Sequence, residues 1–228
     1  MTVKRKENRK VNEMRPVTAK VGVIPNADGS AIFSFGHTTA VAAVYGPRPL
    51  HPKHKQVNDR ALLQTIYSMV PFSTDERVRP GPSRRSQEIC KVTREALEPV
   101  VALEEFPKAT IDVYINVIEA DAGTRTAGIN AASLALADAG IPMKGLVCAV
   151  AAGRIDGEYT VDLEGKEEEA TDCDLPIAYC PRTKQITLMQ MDGDLAPKEA
   201  KGVIEAAVKA CEKIYEVQKK ALAERWTK

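Results

Sequence analysis

Four groups of residues carry the types and spacing that chemistry requires. The first is Asp121-Ala122-Gly123-Thr124-Arg125-Thr126-Ala127-Gly128, set between an alternating apolar run and a run of small residues. A chain passing there from strand to helix leaves backbone N–H groups unpaired at the helix start, where the dipole favours an anion. Gly123 lets a ligand approach the backbone, Thr124 and Thr126 offer hydroxyls, and Arg125 offers a planar fork for phosphate. An ordinary helix start with a solvated arginine is written in the same letters. The segment is neither G-x-x-x-x-G-K-[ST] nor G-x-G-x-x-G, which disfavours a nucleotide-triphosphate P-loop. The second group is Arg77, Arg79, Arg84 and Arg85, with no acid between the first and the last. Ser83 is a candidate N-cap, so Arg84 and Arg85 fall in a first helical turn. Cations are electrostatically misplaced there unless they meet an anion or point into water.

The third group is the loop over residues 46–60, with Arg48, His51, Lys53, His54, Lys55 and Arg60 against Asp59. The pair His51-x-x-His54 is short of a zinc ligand set, and contact with phosphates suits the loop better. The fourth is acidic: Glu164, Glu167, Glu168, Glu169, Asp172 and Asp174, with Lys166. Glu167–Glu169 read as a solvated face. Asp174 differs because it leads into Leu175-Pro176-Ile177-Ala178, and a carboxylate at the end of a strand can be held rigidly. It could carry Mg²⁺, or act as a general acid if burial raises its pKa; the residues leave both open.

The elements that must position these groups follow from periodicity. Val17, Ala19, Val21 and Val23 alternate as a strand, the turn Asn26–Ser30 follows, and residues 31–35 and 39–45 continue a meander. Residues 61–70 make a buried strand. Ile89, Val92, Ala96, Leu97, Val100 and Val101 lie at helical spacing after Ser83, which predicts a helix to about Leu103. Ile111, Val113, Ile115 and Val117 form a strand leading to the Gly123 segment. A small-residue helix then spans Ala127 to Ala139, closed by Gly140. Residues 146–153 and 158–163 pair around Asp156-Gly157, residues 164–174 form an acidic loop, and 175–180 pairs with 185–191. A long helix starts near Pro197. Hairpins dominate, so the class is α+β, with mixed sheets and packed helices. Residues 1–15 read as a basic arm, flexible or loosely docked, through Lys4, Arg5, Lys6, Arg9 and Lys10; residues 16–228 read as a single domain.

Composition narrows the function. The chain has 228 residues, and 32 Lys and Arg balance 31 Asp and Glu, so any polyanion site is a local patch rather than a global charge surplus. No run of 18 apolar residues predicts a membrane span, and MTVKRKENRK is followed by no apolar h-region. Five widely spaced cysteines without a C-x-x-C pair point to buried thiols in a reducing cytoplasm. Aromatics are sparse and form no stacking stripe, so phosphate contacts would have to carry any nucleic-acid binding.

Taken in order, the motifs resemble the RNase PH-like subunits of the archaeal exosome, and most closely the catalytic kind. The resemblance runs through Asn26–Ser30, AAVYGPR at 42–48, PFSTDER at 71–77, PGPSRRSQEICKVTREALE at 80–98, ADAGTRTAGINAASLALADAGIPM at 120–143 and DLPIAYCPRTKQITLMQMDGDL at 174–195. It implies an RNase PH-like fold of the ribosomal-protein-S5-domain-2 type. It implies a hetero-hexameric ring, a trimer of dimers with an inactive homologue, topped by S1- or KH-type RNA-binding cap proteins. It also implies phosphorolysis, in which inorganic phosphate is the co-substrate, RNA is shortened from its 3′ end and nucleoside diphosphates leave. In the reverse direction such rings tail RNA.

Carried over by position, Gly123, Thr124 and Arg125 match the family's phosphate site. Arg84 and Arg85 match the pair that grips the 3′-terminal RNA phosphates. Lys53 and Arg60 fall in the loop region lining the RNA path. Asp174 matches the acid that protonates the leaving 3′ oxygen or holds a metal, with Mg²⁺ expected. Two positions depart from the family pattern: Glu168 stands where Asp is frequent, and Glu7-Asn8-Arg9 stands where D-G-R is frequent. Two other readings compete: a non-catalytic RNA-binding ring subunit and a homohexameric tRNA-trimming RNase PH. The presence of Arg84, Arg85 and Asp174 favours the enzyme over the first.

Overall fold

The computed structural model describes Arg5 and residues 9–227, except the side chains of Lys166 and Glu169. Lys4, Lys6, Glu7 and Asn8 of the N-terminal arm lie outside the described residues. In chain order the elements are β1 (Val17–Val21), β2 (Gly29–Phe35), β3 (Thr38–Pro49), β4 (Leu62–Met69), α1 (Arg84–Leu97) and β5 (Ala109–Glu119). They continue with α2 (Thr124–Asp138), β6 (Cys148–Ile155), β7 (Glu158–Val161), α3 (Gly165–Ala170), β8 (Cys173–Cys180), β9 (Gln185–Met189), β10 (Asp192–Gly193) and α4 (Pro197–Trp226).

The first sheet runs β1-β2-β3-β5-β4. Its β4–β5 pair is parallel and the others are antiparallel, so α1 serves as the crossover between β4 and β5. The second sheet runs β10-β8-β6-β7, with β9 also paired to β8. The expected alternation is present in β5, where Ile111, Val113, Ile115 and Val117 are buried. Both sheets share one continuous core with α2 between them.

The small residues of α2 explain that arrangement. Ala127, Gly128, Ala131, Ala132 and Ala135 are buried together with Ile129, Leu134 and Leu136, so the helix is covered on all sides. Strand β2 comes so close that a Cβ at Gly29 would stand 2.2 Å from the Ala139 backbone nitrogen. Asn130 fixes the register of α2 against the second sheet. Its Nδ2 donates to the carbonyl of Ala149 at 2.7 Å, and its Oδ1 accepts from the Ala149 N–H at 3.0 Å and from Gln218 Nε2 at 3.0 Å. A buried amide with every group paired ties α2, β6 and α4 into one unit.

The structure departs from the sequence expectations at several places. Helix α1 ends at Leu97 rather than near Leu103; Val100 and Val101 are buried in the turn that follows. The acidic loop over 164–174 contains α3, and its last two residues already belong to β8. The solvated face expected over Glu167–Glu169 is wrong for Glu167, which is 4% exposed and paired to Arg5. The N-terminal arm is not loose at Arg5 and Arg9, whose side chains are buried in ion pairs. Among the described residues no helix is long and apolar enough to cross a membrane. The five cysteines are free, and four of them are buried.

Candidate active site

Strand β5 and helix α2 meet at a tight corner, with Ala122 and Gly123 both at positive φ (58° and 68°). Gly123 is the N-cap of α2, so the helix begins at Thr124, three residues before the expected start. Its first N–H groups therefore face the Gly123 corner. The corner is held from behind. Thr38 Oγ1 donates to the carbonyl of Ala122 at 2.6 Å and accepts from the Asp121 N–H at 2.9 Å, while Arg15 Nη1 donates to the Asp121 carbonyl at 2.6 Å.

Helix α1 brings in the cationic pair. Ser83 and Ser86 cap each other's backbone, Ser86 N–H to Ser83 Oγ at 3.0 Å and Ser83 N–H to Ser86 Oγ at 2.7 Å. The first turn of α1 has no acid, and Arg84 and Arg85 project from it exposed. One turn on, Glu88 accepts from Arg125 Nη2 at 2.9 Å. Gln190 closes the triangle, accepting from Arg125 Nη1 at 2.6 Å and donating to Glu88 at 3.0 Å. This clamp fixes the plane of the Arg125 guanidinium.

Arg85, Gly123, Thr124, Arg125 and Gln190 line one cavity of about 330 Å³ together with Glu168, Asp174 and Asp192. Asp174 lies at the start of β8, opposite Gly153 and Asp192. Burial lifts its carboxyl to about 6, helped by Glu168 and Asp192 and opposed by Arg125 and Arg85. Among the described residues, Asp174 Oδ1 is buried without a hydrogen-bond partner. An acid in that state, facing two guanidinium groups, can give a proton to a developing oxyanion or ligate a hard cation.

The carboxylates fit Mg²⁺ in a limited way. Among the described residues no three His, Cys, Asp or Glu side chains converge on a point. A cage made of protein alone is not built, but Mg²⁺ typically takes one or two carboxylates with water and phosphate oxygens. The orphaned Oδ1 of Asp174 suits that kind of site.

Of the residues singled out in the sequence, the cavity unites Gly123, Thr124, Arg125, Arg85, Glu168 and Asp174. Arg84 is exposed beside it on α1. Lys53, in a short 3₁₀ turn over Lys53–Lys55, and Arg60, just before β4, are exposed and outside the cavity lining. Sequence reasoning missed Glu88, Gln190 and Asp192. Glu88 sits one helical turn beyond Arg84 and Arg85, which is the signal that could have found it. Nothing local marks Gln190.

Comparison with known proteins agrees with this architecture. Residues 13–142 match the model of domain 1 of the 3′ exoribonuclease family, and residues 145–210 match that of domain 2. A relative named exosome complex component Rrp41 from Thermococcus kodakarensis is 53% identical over 225 residues, covering 99% of this chain and 90% of its own length. The Rrp41 component of Methanopyrus kandleri is 50% identical over 222 residues, covering 97% of this chain and 93% of its own. The crystal structure of rice Rrp46 superposes with a TM-score of 0.87 at 24% identity, covering 96% of this chain and all of that one, and shows the shared fold. The chain therefore belongs to the RNase PH, or 3′ exoribonuclease, family, in the group of the archaeal exosome components.

Proposed function

We propose that this chain is the catalytic subunit of an archaeal exosome ring and shortens RNA from the 3′ end by phosphorolysis. The observation that carries the reading is the single cavity in which Asp174 faces Arg85, Arg125 and the Gly123 helix start. Joining two polyanions demands fixed cations and N–H dipoles on both, and this cavity has them.

Inorganic phosphate is held by Gly123, Thr124 and Arg125, with Arg125 aimed by Glu88 and Gln190. Arg84 and Arg85 hold the terminal RNA phosphates, and Lys53 and Arg60 contact RNA farther along its path. An oxygen of the bound phosphate attacks the phosphorus of the last phosphodiester. The bond from that phosphorus to the 3′ oxygen of the preceding nucleotide breaks. A nucleoside diphosphate leaves, and the RNA ends one residue shorter with a 3′ hydroxyl. Asp174 supplies the proton for that hydroxyl. With its carboxyl at about 6, roughly one copy in ten is protonated at neutral pH, far more than for an ordinary aspartic acid. Glu168 helps to keep the proton there. Where Mg²⁺ is bound, Asp174 with Glu168 would hold it, and its charge would stabilise the leaving oxygen. In the presence of nucleoside diphosphates the same groups serve RNA tailing.

The partners follow from the same reading: an inactive RNase PH-like subunit alternating in the hetero-hexamer, and S1- or KH-type cap proteins. The names of the archaeal relatives support membership of such a complex. Free cysteines suit the cytoplasm as its location. The test is a 5′-labelled oligo(A) incubated with the reconstituted ring, with and without phosphate. Shortening only with phosphate is expected. Shortening that ignores phosphate refutes the mechanism, and none at all assigns the chain a binding role. A stable hexamer of this chain alone would favour the tRNA-trimming enzyme instead.

A further inference from the structure

Glu168 is carried by a segment that cannot fold on its own. Helix α3 spans six residues, Gly165–Ala170, and includes three consecutive glutamates. Isolated helices that short do not hold together in water, and like charges along one of them repel. Yet Glu164 and Glu167 at its start are 5% and 4% exposed. Something outside the segment pairs their charge and fixes its shape.

That partner is the N-terminal arm. Arg9 pairs with Glu164. Arg5 pairs with Glu167 through Nε at 2.9 Å and Nη2 at 3.1 Å. The remaining donors of Arg5 reach the carbonyls of Lys10, Val11 and Glu13 at 2.8–3.1 Å, and those of Val161 and Asp162 at 3.0 Å. One buried fork thus joins the arm, the end of β7 and the first turn of α3. Arg15 completes the set: it pairs with Asp162 at 2.7 Å and reaches the Asp121 carbonyl at 2.6 Å. Three guanidinium groups stand against three carboxylates, so the buried cluster is charge-balanced.

The cluster touches both halves of the active site. Glu168 follows Glu167, and Asp121 precedes the Gly123 corner by two residues. The two segments abut, because a Cβ on Gly165 would stand 2.7 Å from Asp121 Oδ1. Withdrawing a guanidinium leaves a buried carboxylate that must reach water, and the exit is to open the turn that bears Glu168.

We propose that the N-terminal arm is a strap that orders the acidic turn, with Arg5 and Arg9 as positioning residues that set where Glu168 stands against Asp174. The kinetic part of this proposal rests on the phosphorolysis reading; the ordering part does not.

The test uses the reconstituted ring with three forms of the full chain: unaltered, Arg9→Met, and Arg9→Met combined with Glu164→Gln. The double variant removes the stranded charge while keeping an acceptor at the start of α3. Amide hydrogen exchange over residues 162–171 is measured beside exchange in α2 and β5, together with kcat, KM for phosphate and the Kd for RNA. In Arg9→Met, exchange over 162–171 is expected to rise about ten-fold or more with α2 and β5 unchanged. The kcat should fall about ten-fold, with KM for phosphate and RNA Kd within about two-fold. The double variant should recover most of the protection and of kcat. Unchanged exchange in Arg9→Met overturns the strap, and a loosened turn with unaltered kcat overturns the positioning of Glu168 by the arm. If Arg9→Met does not fold, the double variant decides: full turnover with an unprotected turn overturns the proposal. A ring without phosphorolysis in its unaltered form would refute the proposed function, while the exchange data would still decide whether the arm orders the turn.

Discussion

Replacing Asp174 by Asn should stabilise the folded chain while ending turnover, and the size of the gain can be worked from the site. The Asp174 carboxyl stands at about 6 in the fold against an ordinary 3.8, with burial as the main cause and Glu168 next. The folded chain therefore binds this proton more tightly than the unfolded chain does, and ionising Asp174 opposes folding. The opposition is absent below about pH 4, grows between about pH 4 and 6, and is complete above that range. A shift of about two pK units sets a ceiling of about 3 kcal/mol. Water reaches one side of the cavity and screens the charge, which leaves about 1–2 kcal/mol. Asp174→Asn removes the charge and keeps the shape. Urea unfolding of both chains, without phosphate or metal, should show the variant more stable by that amount near pH 7.5 and equal near pH 4. For a chain of this size the gain corresponds to roughly 2–8 °C in Tm. An Asn variant that is less stable near pH 7.5, or a difference that ignores pH, would refute the reasoning. Strain kept at a reacting group at the expense of stability is the general pattern it would exemplify.

Other perturbations test the remaining parts of the cavity. Arg84→Ala with Arg85→Ala should weaken RNA binding uniformly across sequences and reduce the salt dependence of log K by about 1.4, read by titrating RNA at several salt concentrations. Glu88→Ala frees Arg125 from its clamp, and kcat/KM for phosphate should drop about ten-fold, as losing a charged hydrogen bond costs about 1–2 kcal/mol; an unchanged value would mean the clamp does not aim Arg125. Gly123→Ala places a side chain at φ 68°, 3.2 Å from Arg15 Nη2. It should cost about 1 kcal/mol in urea unfolding and raise KM for phosphate.

Much of the site was legible because its signals are local. The Gly123 corner is announced by an alternating strand ahead of it and a small-residue helix behind it. Ser83 announces the helix that carries Arg84 and Arg85, and its mutual cap with Ser86 is present in the structure. Asp174 stood out because an acid enters an apolar strand. What stayed hidden depends on partners far away in the chain. Gln190 meets Glu88 across 102 positions, and no periodicity encodes that. Arg5 lies 162 positions from Glu167. The basic arm reads as flexible or loosely docked and Glu167–Glu169 as a solvated face, since lone charges are cheapest in water, and only their meeting makes burial tolerable. The end of α1 was misplaced for another reason: Val100 and Val101 continue the apolar spacing but are buried from a turn.

The most direct measurement of the central claim follows the phosphorus. The reconstituted ring is incubated with unlabelled oligo(A) and inorganic phosphate carrying ³²P, and the released nucleotides are separated. Attack by the phosphate held at Gly123, Thr124 and Arg125 predicts ADP with the label in its β-phosphate, and none of it after Arg125→Ala. Release of unlabelled AMP would contradict the account, because the attacking oxygen would then have come from water.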